Sequence, residues 1–429
     1  MYTKQLNYAL SKLGSCPAVH VYKLEWSRAS CNDLPMLLDC TPGLAQCLVA
    51  SFPGLTALSL DGYSVTCSGL ASLLSHPQLA LQLRQLDLTR TTISQPKRPE
   101  PGAVTLDTLF CGVRLKQLSV EAEYPPLPNL QPLAQHLTQL SIGWPEQSPQ
   151  PQQTITSIVT KLSQLTQLQV PAVSVCKQQP FDELLAATQL TSVQLGAIFH
   201  LTSSRANAPC SWQQLEVAGL SIGAAAYLPL HSLTRPLTVG RLCINDRDVS
   251  SPKVAEGVQN LSHSCTVSVI IKTLGLHYPP SLQAEAVGER AVRQRRDMEK
   301  MMVILRPVQR WRVEEVAVLG LLDVSSKDVQ VLAPVCQGCS RLEIRYGSVI
   351  PSLEFWRQLV LLMPSVTQVT ISYTQGAATV AMHESLRHMA EQPWARWLDI
   401  TIVHASSKLA PCWRINTLSS TGKFKVCIK

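Results

Sequence analysis

Cys336 and Cys339 form the only close cysteine pair of the chain, in the run CQGC. Two thiols at that spacing could supply half of a tetrahedral zinc site or a redox couple. Zinc needs four ligands, and neither a second cysteine pair nor a close histidine pair accompanies them. Cys336 follows Val329 and Leu332 along a helical face, and Cys339 stands in an apolar slot, so both read as packing residues. His383 and His388 lie five apart in HESLRH. A zinc-binding helix places its histidines at i and i+4, so these read as helix surface. Asn260-Leu261-Ser262 has the form of a glycosylation acceptor and, without a secretory signal, reads as a chance match. Thr421-Gly422-Lys423 lacks the upstream glycine of a phosphate-binding loop, and no G-x-G-x-x-G occurs. No catalytic, cofactor-binding or metal-binding residue is nominated, and the expectation is a protein that is not an enzyme.

The strongest charge feature runs from Gly288 to Arg312. It holds Arg290, Arg293, Arg295, Arg296, Lys300, Arg306, Arg310 and Arg312 against Glu289, Asp297 and Glu299. A helix from about Ser281 to Leu305 would turn Val292, Met298, Met301 and Met302 toward the body and most arginines toward water. The plain reading is a solvated face, and the functional one is a site for an acidic partner or an anionic surface. With no interleaved aromatics and no standard module, the stretch argues against nucleic acid.

These residues sit among elements set by a recurring phrase, apolar-x-x-apolar-x-apolar. Clear copies begin at Leu55, Leu83, Leu115, Leu137, Leu165, Leu190, Trp212, Val313, Cys339, Val366 and Ala395, mostly 22 to 32 residues apart. Weaker copies lie in VYKLEW (Val21, Leu24, Trp26), PLTV (Leu237, Val239), TVSV (Val267, Val269) and FKVCI (Phe424, Val426, Ile428). A fixed period signals stacked units, each too small to bury its apolar face alone. Alternation at the end of each phrase predicts a short strand with one buried face. Between phrases the period changes to 3.6, as at Ile155, Ile158, Val159 and Leu162, at Phe181, Leu184 and Leu185, at Leu70, Leu73 and Leu74, and at Met382, Leu386 and Met389. Each unit is therefore expected as strand, loop, helix and return loop, with the strands parallel. The Pro- and Gln-rich runs 95–102 and 144–153 read as loop insertions with neither helix nor strand.

The phrases LTALSL, LRQLDL, LTQLSI and LTQLQV resemble the L-x-x-L-x-L segment of leucine-rich-repeat proteins, and the helical units resemble the ribonuclease-inhibitor-like branch. The resemblance covers most of residues 20 to 428. It implies an α/β horseshoe solenoid, residues 1–429 as one array of about fifteen repeats, with a concave parallel sheet, convex helices and a basic helical insertion near 281–312. The family usually places Asn or Cys three residues beyond the last apolar slot. Here those places hold Tyr63, Thr91, Glu123, Pro145, Val173, Ile198 and Leu220, so the Asn ladder is missing and the repeats are degenerate.

Composition bounds the rest. Apolar residues make up 45% and charged residues 15% of 429, enough for a long continuous core, and the formal charge is +8. No run approaches the roughly 18 apolar residues of a membrane span. The first residues lack a signal-peptide pattern, and the 14 cysteines form no tight framework. A cytoplasmic chain with reduced thiols is expected. Outward positions of the strands give the partner-binding candidates Asp61, Asp87, Glu121, Arg341, Glu343, Arg345, Trp397 and Asp399. The leading expectation is a non-catalytic scaffold binding a protein through its concave face. The alternatives are a substrate-recognition subunit of a ubiquitin ligase and a structural component of the cytoskeleton or ciliary axoneme.

Overall fold

The structure is a computed structural model. It describes residues 23–25, 36–38, 40–94, 104–121, 128–143, 151–199, 201, 210–245, 251–264, 268–277, 287–305, 311–319, 325–347, 351–373, 385–386, 388, 392, 398–404, 417–418 and 424–428. The fold is mixed α/β, built on parallel strands. The chain forms two compact units, Met1–Val175 with Gln179–Ala197 and Pro209–Trp212, and Cys176–Gln178 with Ile198–Ala208 and Gln213–Lys429.

The first unit carries β1 (Lys23–Glu25), β2 (Met36–Leu38), β3 (Ala57–Ser59), β4 (Tyr63–Thr66), β5 (Gln85–Leu88), β6 (Thr92–Ser94), β7 (Gln117–Glu121), β8 (Gln139–Gly143), β9 (Gln167–Val175) and β10 (Ser192–Ile198). Strands β1, β3, β5, β7, β8 and β9 pair in parallel in that order. The register sets Leu58, Leu86, Leu118, Leu140 and Leu168 side by side, all buried. The opening leucines of the phrases, Leu55, Leu83, Leu115, Leu137, Leu165 and Leu190, are buried as well. Polar neighbours alternate to the other face, as period-2 geometry requires.

Helices α1 (Pro42–Ser51), α2 (Cys67–Leu74), α3 (Pro77–Gln82), α4 (Pro151–Lys161) and α5 (Gln178–Ala186) fall between the strands. Thr41 and Thr66 cap α1 and α2, each side chain accepting a backbone N–H of the first turn. Two expectations need correcting. Residues 151–153 of the second Pro/Gln run are helical, because proline is tolerated in a helix's first turn. Nor does each unit hold an α-helix. Between β7 and β8 a 3-10 turn, Gln131–Leu133, buries Leu133 instead, and β2, β4 and β6 form a small second parallel sheet. Residues 95–102 and 144–150 lie outside the described residues.

One hydrogen-bond pattern stitches repeat to repeat. Ahead of β3, β5, β7, β8 and β9, and ahead of the strands that begin at Gln214 and Arg341, the carbonyl at the strand entrance accepts the N–H groups of two successive residues in the next repeat. Thr166 and Gln167 donate to Thr138 at 2.9 and 3.0 Å, and Thr191 and Ser192 donate to Thr166 at 2.8 and 3.1 Å. A hydroxyl adds a third donor: Thr138 to the Lys116 carbonyl, Thr166 to Thr138, and Thr191 to Thr166, at 3.1 to 3.2 Å. Ser340 and Thr367 repeat the device in the second unit.

The second unit carries β11 (Gln214–Ser221), β12 (Leu237–Asn245), β13 (Val269–His277), β14 (Arg312–Leu319), β15 (Arg341–Gly347), β16 (Gln368–Tyr373), β17 (Leu398–His404), β18 (Thr417–Leu418) and β19 (Phe424–Ile428). Apart from antiparallel β18, neighbouring strands pair in parallel. The register corrects the placement of two weak copies. Val239 aligns with Val217, Ile271 and Val313, whereas the row continuing through Val316 and Leu342 begins at Leu220, Leu242 and Leu274. Strands β12 and β13 are long enough to hold both rows, so the apolar slots pass from an upstream row to a downstream one there. That handover occupies the widest interval between clear copies.

Helices α6 (Ile222–Ala225), α7 (Pro252–Gln259), α8 (Val287–Ile304), α9 (Ser326–Leu332) and α10 (Leu353–Leu362) complete this unit. Gly257 permits a close crossing, since a Cβ there would stand 1.9 Å from the Ile222 carbonyl oxygen. Asn260 donates through Nδ2 to the carbonyls of Ala225 and Leu228, at 2.7 and 3.0 Å. It does for one turn what an Asn ladder does along an array.

Candidate functional site: the open sheet face of the second unit

The downstream apolar row fixes which side chains stand on the opposite face. One outward row reads Arg241, Thr273, Glu315, Arg341, Gln368, Asp399 and Lys425 across β12 to β19. The next reads Cys243, Gly275, Ala317, Glu343, Thr370 and Thr401, and a third holds His277, Leu319, Arg345 and Ser372. Three guanidinium groups and two carboxylates are thereby collected on four adjacent strands, β12 to β15.

Their environment is partly dry. Arg345 donates from Nε and Nη2 to the two oxygens of Glu343, at 2.6 and 2.9 Å, a two-pronged pair with Glu343 only 16% exposed. Burial and the nearby Glu343 carboxylate push the Glu315 carboxyl above its ordinary range, against the opposing pull of Arg341, Arg345 and Arg241. Burial holds His277 below its ordinary value, and the positive charges of Arg241 and Arg345 act in the same direction. Gly275 makes room for this convergence. A Cβ there would meet His277 Nε2 at 3.2 Å and Arg241 Nε at 3.4 Å. Neither nitrogen has a hydrogen-bond partner among the described residues. Burial also raises the Cys243 thiol on the same face, with Arg241 opposing. Desolvated charges held on rigid strands give a surface that can exchange ion pairs with another molecule.

Among the candidates read from sequence, Arg341, Glu343 and Arg345 lie together in this cluster. Asp399 is half-buried four strands away from Arg241's neighbour Thr273, in register with Gln368 and Lys425. Trp397 lies outside the described residues. Arg241 and His277 were not nominated, because the apolar string of β12 and β13 hides which residues flank the downstream row, whereas Glu315 stands at an outward position that the alternation in VEEVAV does mark. The runs RLCIN and TLGLH carry that signal.

The acidic candidates of the first unit are engaged internally. Asp61 forms an ion pair with Arg90, whose Nε lies 2.9 Å from Oδ1, and Glu121 accepts the Arg90 backbone N–H. Arg90 has a φ of 53°, a left-handed conformation uncommon outside glycine. Asp87 accepts from Ser59 Oγ at 3.1 Å and from Thr89 N and Oγ1 at 3.0 and 2.6 Å.

The basic helix α8 begins, in the described residues, at Val287 rather than near Ser281. Its buried stripe is Gln294, Met298 and Met302. Val292 is 57% exposed, contrary to expectation, because it lies about 200° around the helix from Gln294. Arg293 and Arg296 are exposed, and Lys300 lies 3.6 Å from Asp297. The side chains of Arg290 and Met301 are outside the described residues. Arg295 points inward to α9, its Nε 3.4 Å from Asp328 and its Nη2 3.2 Å from Ser325 Oγ. Asp328 is buried and accepts the Ser325 N–H and hydroxyl, closing a capping box.

Cys336 and Cys339 are both fully buried and unpaired by disulfide. A hydrogen bond with Cys339, together with burial, holds the Cys336 thiol well above its ordinary value. The Cys339 thiol lies 2.6 Å from the Arg341 carbonyl. Among the described residues no group of three His, Cys, Asp or Glu could hold a metal, and no helix is long and apolar enough to cross a membrane. His388 is exposed, and His383 and residues 421–423 lie outside the described residues. The chain matches no protein-family model and no curated protein.

Proposed function

We propose that this chain is a leucine-rich-repeat-type solenoid that works as a non-catalytic scaffold, binding a protein partner through the open face of its parallel strands. The observation that carries the reading is the convergence of Arg241, Glu315, Arg341, Glu343 and Arg345 on one partly desolvated sheet face. Such a face offers fixed, complementary charge on a scaffold whose core is supplied by the strands beneath, so partner choice and association rate follow from electrostatics. Buried reduced thiols at Cys336 and Cys339 suit a cytoplasmic setting within this reading.

The test is a comparative affinity capture read by mass spectrometry. Wild type and the double variant Arg341→Glu, Arg345→Glu are presented to the same extract at low and high salt. Partners captured by the wild type at low salt and lost by the variant support the reading. An unchanged partner set at both salt concentrations refutes this face as the binding surface.

A further inference from the structure

The first unit carries a second open face of different chemistry. Its outward rows place Gln85, Gln117, Gln139 and Gln167 side by side on β5, β7, β8 and β9, with Asp87, Ser119, Ser141 and Gln169 in the next row, Asp87 being taken up by Ser59 and Thr89. Gln117, Ser119, Gln139, Ser141, Gln167 and Gln169 line a shallow, open hollow of about 80 Å³, floored by Leu118 and Leu140. Among the described residues none of the six polar side chains has a hydrogen-bond partner. They are half-buried, apart from exposed Gln169, so their amides and hydroxyls are ordered by position yet left without partners.

The lining decides what would fit. Among the described residues it contains no charged side chain, so a charged ligand would lose hydration with no counter-charge in return. Nor does it hold an aromatic side chain among the described residues, so a sugar ring or a planar base finds no stacking surface there. What remains is a ligand with closely spaced donors and acceptors and no net charge. Gln–Ser and Gln–Gln pairs two residues apart along β7, β8 and β9 repeat at about 6.8 Å, the same-side repeat of any extended peptide.

We infer that this hollow binds an uncharged, extended segment of a partner protein, rich in Asn, Gln, Ser or Thr, through side-chain amide and hydroxyl hydrogen bonds. The inference rests on the protein-binding reading above but uses strands that the Arg341/Arg345 variant leaves untouched, so the two fail separately.

The experiment is fluorescence anisotropy on the full chain with four dye-labelled decapeptides, alternating Asn-Ser, Glu-Ser, Lys-Ser and Leu-Ser. The Asn-Ser peptide should bind tightest, with a Kd that changes less than about twofold between 50 and 500 mM salt, since no ion pairs form. Gln139→Leu and Gln167→Leu should each weaken it about tenfold, the cost of stranding a hydrogen-bonding group of the ligand. Gln164→Leu, at an exposed turn of the same unit, should leave it unchanged. The Arg341→Glu, Arg345→Glu variant should bind the Asn-Ser peptide as the wild type does. No Asn-Ser binding, tighter binding of either charged peptide or of Leu-Ser, or retention by both glutamine variants would overturn the assignment.

Discussion

Leu140 and Gln139 are neighbours in the chain with opposite surroundings, one buried between Leu118 and Leu168 and the other on the open face. Leu140→Asp should cost at least about 3 kcal/mol, combining lost apolar burial with an unpaired buried carboxylate. Gln139→Ala should stay within about 0.5 kcal/mol. Urea unfolding of the two variants checks this, and equal effects would refute the alternation. Glu315 and His277 give a pH signature. Because folding raises the Glu315 pKa, its contribution is favourable below its ordinary range and lost as pH rises through the raised value. Glu315→Gln should therefore raise Tm at pH 7, with the gain vanishing toward pH 4. Folding lowers the His277 pKa, so its contribution is present above the ordinary value and lost as pH falls through the depressed one. His277→Asn should flatten the fall in Tm between pH 7 and pH 5. Leucine positions were legible from spacing alone. Glu315 and His277 were not, because their shifts depend on strands distant in sequence.

Between elements, the joint of α8 and α9 is a single buried carboxylate shared by Ser325 and Arg295. Asp328→Ala removes a cap and strands buried donors, and should destabilise by about 2–3 kcal/mol in denaturant titrations. The sequence marks α8 as basic and helical, and Arg293 and Arg296 are exposed on it. It does not reveal that Arg295 turns inward, since that requires knowing which carboxylate meets the helix. Helix periodicity also located Phe181, Leu184 and Leu185 on α5, all buried. The small sheet of β2, β4 and β6 escaped, because three- and four-residue strands carry too few positions to display a period.

Across each unit, cohesion runs from strand to strand, and a local injury should fade with distance along the sheet. Under hydrogen exchange, Val316→Asp in β14 should accelerate amides of β13 and β15 more than those of β17. Uniform acceleration throughout the second unit would mean a single cooperative block instead. The parallel α/β order was legible because the phrase repeats. The shift of apolar rows across β12 and β13 was not, since a run such as Leu237 to Ile244 fits either frame and only strand pairing chooses.

The threonine and serine hydroxyls at the strand entrances carry a last consequence. An asparagine inside a turn polices the turn's own path, whereas a hydroxyl gripping the previous carbonyl constrains only the doorway to the strand. Chain leaving the far end of a strand is then free to take a detour of any length before it returns. Copies spaced unevenly along this polypeptide can accordingly share one ladder, and segments spliced in between them should be accommodated without loosening the sheet.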